Sequence, residues 1–145
     1  MNISNIKILV CTIAGTIGGF IANAMGGWSK DMTTLVILMA ADFIMGLVIA
    51  GVFNKSNKSA SGALDSKASW KGLCKKGVTL LFVLIAHRLD ITLGTDYIRT
   101  ATIIGFITDE TISIVENAGI MGFPFPSVIT KAIEILKNKS EGGGE

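Results

Sequence analysis

Hydrophobic positions in this chain fall in long blocks rather than in the short alternations of a soluble fold. Ile8 to Met25 carry no charged side chain, and Met32 to Phe53 carry one, Asp42. At the helical rise of 1.5 Å per residue, each block can cross a hydrocarbon core about 30 Å thick. A third block, Gly77 to Leu93, is clean from Val78 to Ala86 and then meets His87, Arg88 and Asp90. It spans only if that polar cluster reaches the far interface. The fourth block, Ile98 to Val115, is rich in Ile103, Ile104, Phe106, Ile107, Ile112 and Ile114, yet carries Asp109 and Glu110 side by side. Gly119 to Pro126 (GIMGFPFP) then breaks the chain, because its prolines cannot extend a helix. Helical periodicity returns at Ser127 to Asn138, where Val128, Ile129, Ala132, Ile133 and Leu136 share one face. The pattern predicts an all-α integral membrane protein with about four transmembrane or membrane-embedded helices, near 6–25, 32–53, 77–93 and 98–116. A short amphipathic helix follows at 127–138, completing one membrane domain over 1–138, and the tail 139–145 is expected to be disordered.

Composition changes this picture little; charge distribution changes it more. A chain of 145 residues is one domain's length, and an apolar fraction of 50% is ordinary. The mean hydropathy of +0.59 and the clumping are what mark a membrane protein. Net charge is only +2. The segment 54–76, however, sets Lys55, Lys58, Lys67, Lys71, Lys75 and Lys76 against the single acid Asp65, which makes it a basic cytoplasmic loop. Its first part, NKSNKSASG, has linker composition. In its second part Trp70 and Leu73 lie between lysines, so Lys71, Lys75 and Lys76 are expected to anchor it along the cytoplasmic headgroups. Alternation then puts the turn at Trp28 and the loop around Asp90 to Asp96 outside, and both termini in the cytoplasm. Ala22-Asn23-Ala24 also resembles a small-residue cleavage site, and three spans after removal of residues 1–24 would satisfy the same charge rule. The two cysteines, Cys11 and Cys74, make no disulfide framework.

An ionised carboxylate at the centre of a membrane helix costs about 2.5–3.5 kcal/mol on insertion scales, so the deep acids are the candidate functional residues. Asp42 shares a helical stripe with Gly46 and Ala50, and Asp109 shares one with Ala101 and Gly105. Small residues let helices approach closely, and Gly15 and Gly19 in the first block have the same spacing. Arg88 and Arg99 fall near the outer ends of their helices, with Asp90 and Asp96 as the expected partners. Asp109 and Glu110 lie about 15 Å below Arg99 at the helical rise, beyond direct pairing. Asp42 and Asp109 are therefore expected to be protonated while the chain is dispersed in lipid and to hydrate when helices assemble around water. The single histidine, His87, reads as an interface residue. No metal-binding motif, nucleophilic constellation or nucleic-acid signature is present, so no cofactor and no enzymatic activity is expected. A small ion channel or transporter subunit, with Asp42 and Asp109 as a proton or cation path, fits the same acids.

Several stretches resemble the phage lysis and toxin-secretion holin family. Asp42-Phe43-Ile44-Met45-Gly46 is similar to that family's D-x-x-x-G in the second span. Ser66-Lys67 with Trp70-Lys71-Gly72-Leu73-Cys74-Lys75-Lys76 resembles its basic loop with a K-G-L-x-x-K core. Ala86 to Asp90 matches the polar end of its third segment. The most specific likeness is Glu110-x-x-Ser113-Ile114-x-Glu116-Asn117 followed by Gly122-x-Pro124-x-Pro126. Together these cover about Leu35 to Leu136. The resemblance implies a multi-pass protein of the host cytoplasmic membrane that accumulates, oligomerises with itself in the bilayer and opens lesions. An endolysin, or in related systems a toxin, then leaves the cell without necessarily touching it. It adds Arg88, Asp90, Glu110, Ser113, Glu116 and Asn117 to Asp42, Gly46, Ala50, Gly105 and Asp109 as pore or assembly candidates, and has no catalytic residues to carry over. One departure stands out: Asp109 occupies the place where the family pattern has Asn, adding a deep acid.

Overall fold

The structure is a computed structural model that describes residues 2–58, 61–124, 126–129, 131 and 134–135. Among the described residues it is all-helical, with α1 at Ile3–Ala24, α2 at Lys30–Val48, α3 at Ser66–Leu93 and α4 at Ile98–Ile120. Among the described residues, two stretches are long and apolar enough to cross a membrane: α1, and α2 with its continuation to Phe53. Most of the amphipathic segment expected at 127–138, and the tail 139–145, lie outside the described residues.

Each helix boundary has a chemical cause. The carboxylate of Asp65 accepts from the backbone N–H of Lys67 at 2.7 Å, and its carbonyl accepts from both the N–H and the hydroxyl of Ser69. Asp65 is thus the N-cap of α3, and the second half of the basic segment is helical rather than an open loop. At the other end of α3, the N–H of Thr95 returns to the carbonyl of Asp90 at 2.9 Å, just past Gly94. Helix α2 ends differently. Its last turn, Ile49–Phe53, widens into a π-helical turn, and Asn54 stops it in the left-handed conformation at φ 49°. The chain then folds back, so that Ser56 N–H meets the Gly62 carbonyl at 2.9 Å. Gly62 has φ +71°, and a Cβ there would collide with the carbonyl oxygen of Asn54.

The chain divides into two compact units: residues 1–36 with 75–107, and residues 37–74 with 108–145. In the first unit Met25, Met32, Leu35, Val83, Ala86 and Ile103 form the buried core, and the rings of Phe82 and Phe106 meet at 6.3 Å in a tilted pair. Helix α1 contributes no buried residue. Its Ile13, Ile17 and Phe20 are open to the surroundings, which suits a helix solvated by lipid rather than water. In the second unit Met39, Ile49, Ala50 and Ala118 surround two buried polar groups, Asp42 and Asn117.

Candidate functional site

Each unit contains one polar centre. In the first, Asp90 is only 5% exposed although it sits in the last turn of α3. Its carboxylate accepts from the backbone N–H of Ile98 at 3.0 Å, from that of Arg99 at 2.8 Å and from the Thr95 hydroxyl at 2.6 Å. It therefore caps the start of α4 from the end of α3, meeting N–H groups that have no partner inside their own helix. The α3–α4 connection is locked by this one side chain. Arg99 then reaches the other way. Its Nε donates to the Met25 carbonyl at 2.6 Å and its guanidinium to the Gly27 carbonyl at 2.9 Å and the Ser29 hydroxyl at 3.2 Å. The expected charge pairing of Arg99 with Asp90 is not what these contacts make: only the Arg99 backbone N–H meets that carboxylate, while the guanidinium ties down the α1–α2 turn. Nothing in the linear pattern pointed to that turn, because its acceptors are main-chain carbonyls. His87 is also placed by the turn. Gly26 has φ +87°, and a Cβ on it would come within 2.7 Å of the imidazole.

In the second unit, Asp42 of α2 is 6% exposed and Asn117 of α4 is 7% exposed. One oxygen of Asp42 accepts from the Ser113 hydroxyl at 2.5 Å and from the Asn117 side-chain amide at 2.8 Å. Ser113 and Asn117 are one helical turn apart, so both reach the same carboxyl group. Both of these donors are neutral side chains. Ser113 and Asn117, with Gly46, Ile49, Ser56, Asn57, Lys58, Glu116, Gly119 and Ile120, also line an open cleft of about 650 Å³. Asp42 thus lies directly behind the cleft's polar wall, joined to it by those two hydrogen bonds.

The remaining candidates fall elsewhere. Gly105, Asp109 and Glu116 are exposed on α4, as is Ala101, while Glu110 is half-buried. Gly46 is half-buried and Ala50 buried. Arg88 is exposed near the C-terminal end of α3, Lys71 and Lys75 are exposed near its start, and Lys76 is half-buried. Gly15 and Gly19 have open space where a Cβ would stand. Of Asp42 and Asp109, the two acids on small-residue stripes, the structure buries Asp42, against Ser113 and Asn117. The i, i+4 polar pair in an otherwise apolar helix was the available signal for that contact.

Long apolar helices, a first helix with no buried residue and an all-helical fold among the described residues fit one class, a small helical membrane protein. The chain belongs to the bacteriophage holin family, whose model matches residues 19–138. It is 39% identical over 107 residues to an uncharacterized protein of Listeria monocytogenes, covering 73% of this chain and 71% of that one. It is 31% identical over 137 residues to an uncharacterized protein of Clostridium perfringens, covering 92% and 96%. A protein of Bacillus phage phi105 named as a probable holin is 27% identical over 116 residues, covering 79% of this chain and 80% of its own. No solved structure matches the chain.

Proposed function

We propose that this protein is a holin that accumulates in the bacterial cytoplasmic membrane and assembles with copies of itself into lesions through which an endolysin reaches the cell wall. The observation that carries this reading is the exposed row on α4. Ala101, Gly105, Asp109 and Glu116 recur at helical spacing on a helix whose other exposed positions include Ile104. Hydrocarbon does not hold such acids at low cost. A row of small residues with carboxyl groups fits the wall of a hydrated opening between helices, the small residues allowing close approach. In this reading α1, α2, the apolar part of α3 and α4 are the membrane segments, and both termini are cytoplasmic.

The experiment is induction in a bacterial host with and without a co-expressed endolysin. Abrupt arrest of respiration by this protein alone, with lysis only when the endolysin is present, supports the proposal. Growth that continues through high expression overturns it. Ion leakage without escape of a cytoplasmic reporter protein would replace it with a small channel, and a release partner other than endolysin would place the same build in toxin export.

A further inference from the structure

We infer that the first turns of α3 form a docking surface for the anionic headgroup layer of the bilayer, with an apolar edge that enters the acyl boundary. Three half-buried residues, Ala68, Ser69 and Gly72, turn this stretch of helix toward the protein, and Gly72 sits opposite the ring of Phe43 on α2. Everything on the other side is open: Lys67, Trp70, Lys71, Leu73, Cys74 and Lys75 are all exposed, Trp70 by 67%. At about 100° per residue, these exposed side chains do not mix. Leu73, Trp70 and Cys74 occupy one sector, and Lys67, Lys71 and Lys75 occupy the adjoining one.

A solvated helix has no use for a tryptophan and a leucine side by side on its open face. A helix entering a membrane interface uses that division, with the apolar sector against the acyl boundary and the lysines level with the phosphates. The helix itself supplies the depth. Past Lys76 it continues into Val78, Leu81, Phe82 and Ile85, all exposed and all apolar, so the lysine row stands where an apolar stretch begins. Its charge complements phosphate-bearing lipids of net negative charge, and basic residues near such a surface gain from each lysine within a Debye length. Nucleic acid or an acidic protein would use the lysines but leave Leu73 and Trp70 in water.

The test uses the full chain carrying Trp28→Phe, so that Trp70 is the only reporting indole, reconstituted in vesicles. One set is phosphatidylcholine alone; the other contains about one-third phosphatidylglycerol. The expected result at low salt is a blue-shifted Trp70 emission and quenching by acrylamide reduced about twofold in the anionic vesicles. High salt, or the double variant Lys67→Gln/Lys71→Gln, returns both readings to the phosphatidylcholine values. Equal emission and quenching in the two lipids would overturn the inference, as would equal protection of Trp70 in phosphatidylcholine by added RNA or polyglutamate. The inference rests on the membrane location proposed above. A chain that fails to float with either vesicle would overturn both, whereas one that floats but is indifferent to the headgroup overturns this inference alone.

Discussion

Asp42 shows what a membrane acid gains from neutral company. Interhelical hydrogen bonds in membranes contribute only about 0.6 kcal/mol on average, yet a buried polar group left without its partner costs about 1–3 kcal/mol. Asn117→Ala is therefore expected to lower the thermal midpoint of the protein in detergent micelles more than Ser113→Ala, because Asn117 is the more deeply buried donor. Both donate to one oxygen, so the double variant should lose less than the two singles added together. Equal and additive losses would sink the idea of a shared acceptor. Asp90 makes the opposite kind of contact, to main-chain N–H groups. Asp90→Ala should cost about 1–2 kcal/mol, the range for losing an N-cap, and Asp90→Asn less, because an amide oxygen still accepts. At this scale the polar side chains stood out in the sequence, and most of their partners did not. Asp42, Ser113, Asn117 and Asp90 stand out as polar residues in apolar surroundings. Which of them meet depends on rotations of less than a quarter turn about α4, since residues 109, 113 and 117 are each offset by about 40° from the last. Periodicity does not resolve such angles.

The helices were legible because they are long and sharply punctuated. The expected blocks at 6–25 and 32–53 coincide with α1 and with α2 plus its π-helical turn to within a few residues. The start of α3 was less visible. Lysines and serines before Gly77 read as loop, whereas Asp65 with Ser69 winds them into helix some ten residues earlier. Removing that start signal by Asp65→Ala should fray the first turns of α3 by about 1 kcal/mol, seen as faster amide exchange at Lys67 to Ser69 with exchange at Val83 unchanged. The α1–α2 turn is set by fit rather than by a helix signal. Gly26→Ala combines a positive φ with an encounter with His87, so its loss of stability should be partly recovered by His87→Ala, which removes the steric part and leaves the backbone part. A double variant no more stable than Gly26→Ala would show that the ring is not what the turn accommodates.

For the whole molecule, the proposed function is tested most directly at Asp109, where insertion and assembly can be measured apart. Asp109→Asn removes a carboxyl group exposed on α4 without changing its size. It should leave the amount of protein in the membrane unchanged and delay the onset of killing, because a neutral amide gains less than a carboxylate when water enters. Membrane fractionation and a respiration trace on one culture read both quantities, and identical timing in the two strains would remove Asp109 from the mechanism. Family membership was legible from short motifs in order along the chain, and none of them describes how copies meet. The Arg99 tie has a consequence for biosynthesis. Its guanidinium closes on carbonyls made 74 and 72 residues earlier, so the α1–α2 turn is synthesised well before the group that fastens it exists. Each newly made copy therefore passes through a stage in which this turn is unlatched, and the contacts of Ser113 and Asn117 with Asp42 close later still, since their donors follow Arg99 in the chain.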